Sequence, residues 1–286
     1  MIRLINAELY KLRKRTMTRV LLYVLIGIIV VLYFLLLAIS KVNLPNAGPG
    51  MGDIQNLLGL PLALPFAMYI LASFGGVLAI ILVASAVGNE YNWRTIRTAV
   101  VSSESRFKLL TAKLISAAIY ILIGMVIGLV AGFIMSLITT AIGGYKFDFS
   151  FATGTYMWNQ FLQFWRAFYV IIPVSLLGFM FAIVGRSAMP GIAFGIGITF
   201  LESIITTFMF LAGGWIAKVP AYLLQANTQA ITSLAKLPAG FTQGMGGGSN
   251  TTPLPSPAHA FITLAVYSIL FLFISFYLFQ KRDVTG

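Results

Sequence analysis

The residues able to carry acid–base, nucleophilic or metal chemistry are few and far apart. The chain of 286 residues holds one histidine, His259, no cysteine, and seven carboxylates at Glu8, Asp53, Glu90, Glu104, Asp148, Glu202 and Asp283. Serine hydrolysis needs a nucleophile beside a base, and metal ligation needs clustered His, Asp or Glu. No two of the acids have a spacing that would set a pair of ligands on one helix face. Nor is there a GxxxxGK[ST] loop to cradle phosphates. The expectation is a protein that is not an enzyme and holds no metal or cofactor of its own.

One acid stands out by its surroundings. Glu202 lies in FLESII, about twelve residues into an apolar stretch and so about 18 Å from its start at 1.5 Å per residue. A carboxylate at that depth in a bilayer is costly and is expected to face the bundle or a wet cavity, to be protonated, or to find a partner. Arg166, near the outer start of the fourth span, is within reach as a partner. Glu202 and Arg166 are therefore candidates for a substrate route, set against the plainer role of a polar clamp between helices.

The elements that must position these residues are membrane helices. Hydrophobic residues make up 59% of the chain and charged ones 9%, against roughly 25% charged in soluble domains. Residues 20–40, 54–89 and 114–145 carry no charge at all, and each exceeds the roughly 18 residues that mark a spanning helix. The fold class expected is an all-α polytopic membrane protein with six transmembrane helices at 20–40, 62–87, 112–142, 163–184, 190–212 and 258–280. It is a single transmembrane domain over 1–286. The first apolar run, about 21 residues long and without a small-residue cleavage pattern, reads as a retained anchor rather than a signal peptide.

A net charge of +12 raises nucleic acid as a partner, but the basic residues sit at the ends of the apolar segments and not on a polar face. They are topology signals. With the N-terminus in the cytoplasm, 14 of the 19 Lys and Arg fall inside. Both termini are thus expected in the cytoplasm, in the plasma membrane of a cell and specifically a prokaryotic inner membrane.

Ahead of the first span, Ile2, Ile5, Leu9 and Leu12 recur at helical spacing, while Arg3, Glu8, Lys11, Arg13 and Lys14 are read on the rest of the wheel. This predicts an amphipathic helix within 1–19 on the inner leaflet, in contact with membrane lipid. Residues 213–257 form the outer loop, where 215–237 are too polar to span and too apolar to float free. Short external helices resting at or dipping into the outer leaflet are expected there. Gly124, Gly128 and Gly132, then Gly191 and Gly195, recur every four residues and predict close helix packing. The aromatic group Tyr156, Trp158, Phe161, Phe164, Trp165, Phe168 and Tyr169 predicts an interfacial belt.

The loop at 88–111 is the informative one. It reads GNEYNWRTIRT at 88–98 and SRFKLLTAK at 105–113. Ser102, Ser103 or Ser105 is able to cap a short helix. Arg106, Lys108 and Lys113 then give it a basic surface, and Phe107, Leu109 and Leu110 an apolar anchor for a cytosolic partner. The plainer alternative is that the cations hold the loop at anionic headgroups.

A span ending in an acid, then a Thr-Ile-Arg-Thr run, then Ser-Arg-x-x-Leu-Leu-x-x-Lys entering the next span resembles the permease subunit of a type-2 ABC exporter. The layout is similar over the whole chain and the motif over about 26 residues; Trp93-Arg94 stands where many members have a small residue before the threonine. The resemblance implies that 88–111 is a coupling loop docking into a separate cytosolic ATP-binding subunit through Glu90, Arg94, Thr95, Arg97, Ser105, Arg106, Phe107 and Lys108. It also implies a second identical or related permease chain, with ATP and Mg bound by the partner subunit. The function expected is coupling of that subunit's ATP hydrolysis to export or flipping of a substrate. Two other classes stand beside it: a secondary transporter or channel, which more often shows broken helices in matching halves, and a membrane scaffold subunit without an ATPase partner.

Overall fold

The computed structural model describes residues 1–41, 58–92, 105–144, 147, 149–235 and 254–281. Among these residues the regular secondary structure is all helical, with no strand. Helix α1 spans Ile2–Lys14, α2 Thr16–Lys41, α3 Leu60–Asn92, α4 Arg106–Gly143, α5 Gly154–Val184 and α6 Ala188–Ala212. A 3-10 helix at Ile216–Tyr222 and α7 at Leu224–Thr232 precede α8 at Pro257–Lys281. Helices α2 to α6 and α8 are the six long and apolar enough to cross a bilayer. The protein is an all-α polytopic membrane protein.

Three of the long helices start where the sequence supplies a polar cap. Ser105, Thr153 and Ser187 adopt extended backbone, and their hydroxyls accept from the N–H of Lys108, Tyr156 and Met189. Those bonds satisfy donors that the first helical turn leaves without partners. Two helices consequently begin earlier than the apolar stretches alone suggest. Helix α4 starts six residues before 112, and α5 starts nine before 163, because the aromatic, amide-bearing segment from Tyr156 to Gln163 continues the helix.

Helices α3 and α5 form the centre, packed along each other, and α4, α6 and α8 surround them. The glycine stripes sit at these seams. A Cβ on Gly128 would meet Leu71 Cδ2 at 2.5 Å, and one on Gly132 would meet Ala67 Cβ at 2.5 Å, so α4 lies close on α3. Gly191 and Gly195 bring α6 equally near Gly178 of α5 and Ile80 of α3. Gly124 is the exception, with open space where its Cβ would be. Packing within the chain thus accounts for four of the five positions. The aromatic group forms a run of ring contacts along the first turns of α5, from Trp158 through Phe161 and Trp165 to Phe168.

Helix α1 differs from the wheel read in the sequence. Glu8 and Leu12 are its buried residues, whereas Ile2 is 75% exposed. Glu8 falls three residues after Ile5 and four before Leu12, which puts it on the inward face. That face packs against α4.

Candidate functional site

At the end of the bundle where α1 lies, three charged side chains from three helices meet in the interior. Lys113 of α4, only 2% exposed, donates to Glu90 of α3 at 2.5 Å and to Glu8 of α1 at 2.8 Å. Lys11 joins Glu8 at 2.7 Å and lies 3.5 Å from Glu90. Arg15 approaches Glu90 at 3.7 Å and donates to the carbonyls of Ser85 and Ala86, each at 3.3 Å. Ser116 adds a bond to the Ile5 carbonyl at 3.2 Å. Two buried carboxylates are thereby matched by one buried and two partly exposed cations.

Burial alone would raise the Glu8 carboxyl, but Lys113 and Lys11 outweigh it and hold the group below the ordinary carboxylate value of 4.5. Burial likewise pushes the Lys11 amine down, and hydrogen bonding and charge from Glu8, aided by Glu90, raise it above 10.5. A buried charge is costly unless it is paired and hydrogen-bonded. The cluster therefore fixes α1, the end of α3 and the start of α4 as one unit.

The structure corrects the sequence expectation at these residues. Lys113 is not part of an exposed basic surface; it sits at helical spacing between Leu109 and Leu110 on one side and Ser116 and Ala117 on the other, all buried. Nor do residues 106–113 form a separate short helix: they are the first two turns of α4, capped by Ser105. Glu90, expected in the coupling loop, lies in the last turn of α3 and is buried in the cluster. Arg94, Thr95 and Arg97, with Trp93, Ser102 and Ser103, lie outside the described residues.

Beside the buried cluster, the first turn of α4 is open. Phe107 is 52% exposed and its ring packs on Phe276 of α8 at 4.8 Å between centroids. Arg106 donates to the Gln280 carbonyl at 3.2 Å, and Lys108 is exposed. An aromatic ring, a guanidinium and an ammonium thus share one turn, with α8 bracing the first two. Such a patch offers a partner an apolar anchor and charge-assisted hydrogen bonds.

At the opposite end, Glu202 does not meet Arg166. Its carboxylate accepts the N–H of Gln225, at the second residue of α7. Helix α7 has no side-chain cap of its own, so Glu202 supplies from α6 the acceptor its first turn needs. Asn227 donates to the carbonyls of Ala221 at 2.9 Å and Leu223 at 2.6 Å, and the His259 ring meets the Ala221 carbonyl at 3.0 Å. The 3-10 helix and α7 therefore dip into the bundle, held by α6 and α8.

A cavity of about 340 Å³ lies between α3, α5, α6 and α7, lined by the uncharged polar residues Tyr69, Ser73, Thr199, Ser203, Gln225, Thr228, Gln229 and Thr232 among apolar ones. Neither Glu202 nor Arg166 lines it. The clamp role is the one the geometry gives Glu202. Glu202→Gln keeps an acceptor for Gln225 and is expected to retain near wild-type stability, whereas Glu202→Ala is expected to lose about 1–3 kcal/mol in thermal unfolding.

Residues 52–285 match the family described as "Protein of unknown function (DUF2705)". The chain belongs to the DUF2705 family. The DUF2705 match takes in Glu90, Lys113, the open turn at Arg106, Phe107 and Lys108, and Glu202, while Glu8, Lys11 and Arg15 precede it. The protein of Bacillus subtilis (strain 168) described as "Uncharacterized protein YhcI" is similar, at 27% identity over 222 residues, covering 74% of this chain and 65% of that relative. The chain thus spans just under two thirds of that relative's length.

Proposed function

We propose that this chain is the transmembrane permease subunit of an ATP-driven ABC exporter, with the end bearing α1 in the cytoplasm of a prokaryotic cell and the membrane its inner membrane. The observation that carries it is the pairing of a first turn of α4 bearing half-buried Arg106 and exposed Phe107 and Lys108 with the buried ion cluster at Lys113, about two turns further along the same helix. ATP and Mg belong to a separate cytosolic subunit, and this chain contributes no catalytic residue. A second permease chain, identical or related, completes the unit.

On this reading the coupling runs through the ion cluster. A push on the loop between α3 and α4 acts on two helices joined by the Glu90–Lys113 bridge, and through Glu8 on α1. Helix α3 in turn lines the polar cavity with α5, α6 and α7. Tilting α3 against them alters that cavity, which is the expected substrate path, by the rigid-body shear of packed helices.

A photo-crosslinking residue placed at Phe107 in the native membrane tests the contact. The expected product is a single adduct to a cytosolic nucleotide-binding subunit, weakened when Arg106 is also replaced by Ala. Adducts to lipid alone would contradict partner docking at this turn.

A further inference from the structure

A second cavity, of about 310 Å³, opens between α2, α3 and α4 and is almost wholly apolar. Its walls include Leu25 of α2, Leu71 of α3, and Gly124 and Met125 of α4, with Ile171 of α5 at its base. Arg13 and Arg19 line it from the basic end, and both are exposed. Among the described residues neither guanidinium meets a carboxylate, unlike Lys11 and Arg15 beside them. The bond linking the two arginines runs from Arg19 Nε to the Arg13 carbonyl at 3.4 Å, so the Arg13 guanidinium takes no part in it. From Arg19 to Leu25 on α2, and from Tyr120 to Ile127 on α4, the cavity follows the helices for roughly 10 Å, within the ~15 Å depth of one leaflet.

We infer that this cleft holds an anionic phospholipid, with part of one acyl chain between α2 and α4 and the phosphate between Arg13 and Arg19. The apolar walls match hydrocarbon, and the two cations sit where the headgroup of that chain would lie. Basic pockets between transmembrane helices at a leaflet surface select anionic headgroups. The open space at Gly124 belongs to the same cleft: it is the one glycine of its stripe that no neighbouring helix fills. This inference does not depend on an ATPase partner.

The test uses the full chain in mild detergent, incubated with phosphatidylglycerol or with phosphatidylcholine and read by native mass spectrometry. One phosphatidylglycerol is expected to stay bound, with a preference over phosphatidylcholine of about thirtyfold for two basic contacts. Arg13→Gln with Arg19→Gln is expected to remove the preference. Gly124→Phe, which fills the cleft without touching either arginine, is expected to remove the retained lipid. Should Gly124→Phe lose helical content, Gly124→Leu serves in its place. Retention and preference unchanged in the filled variant would overturn the inference, because headgroups would then be gathering on the basic surface alone. Equal retention of the two lipids by the wild-type chain would overturn it as well.

Discussion

Replacing Lys113 by Met is expected to destabilise the protein by about 3–5 kcal/mol, since it takes the one fully buried cation of the described cluster from the buried Glu8 and Glu90 carboxylates, while Lys11 and Arg15 lie at their edge. Thermal unfolding of the full chain in detergent measures the loss, and the folded yield should fall with it. Converting Glu8 and Glu90 to Gln in the same chain removes the uncompensated charge and should recover much of the stability. A single Lys113→Met variant within about 1 kcal/mol of wild type would show that the cluster does not hold the helices together.

The cluster also sets a pH window. Glu8 is held below 4.5, so its contribution is present at neutral pH and is lost as pH falls through its lower folded-state value. Lys11 is raised above 10.5, so its contribution is present at neutral pH and is lost as pH rises through that higher value. Stability should therefore be flat across neutrality and fall at both extremes.

Gly88→Ala is the second substitution expected to act strongly. A Cβ there would stand 2.6 Å from the Ser187 carbonyl carbon and closer still to the nitrogen and Cα of Ala188. Those atoms are backbone at the start of α6, fixed by the Ser187 cap and by the tight turn in which Arg186 takes φ 50°. They are unable to swing aside as a leucine tip would, so the cost should reach about 3 kcal/mol, the upper end for overpacking. Gly124→Ala, with open space at its Cβ, is the control and should be neutral or slightly stabilising. Thermal unfolding of both variants in one detergent decides it, and equal values would contradict the close approach of α3 to α6.

The existence of the spans was legible because a charge-free apolar stretch of bilayer length is too long and too greasy to be left in water. Their boundaries were less so. The polar and aromatic residues at the start of α5 lower the local hydropathy without ending the helix, and only the Thr153 cap marks its true start. The ion cluster was harder to read than either. Glu8 and Lys113 are 105 residues apart, and each looks like an ordinary basic-end charge until α1 is laid on α4. The local signal is faint: Glu8 shares a helix face with Ile5 and Leu12, and Lys113 falls among apolar neighbours.

For Glu202 the cost of a carboxylate at depth was legible, and the partner was not. A backbone N–H at the start of α7 has no residue type to announce it, whereas Arg166 did. The exposure of Phe107 and Lys108 beside the Ser105 cap was legible from residue types, because a capping serine followed by a basic and aromatic run is local information, whereas the burial of Lys113 on the same helix was not.

The most direct test of the proposed function is gentle extraction of the tagged chain from its native membrane, with identification of what copurifies and an ATPase assay. A stoichiometric nucleotide-binding subunit with ATPase activity, lost when Arg106 and Phe107 are replaced by Ala, is the expected result. Recovery of the chain without a nucleotide-binding subunit or ATPase activity, from membranes in which it is folded, would contradict the exporter reading and leave a secondary transporter or a scaffold.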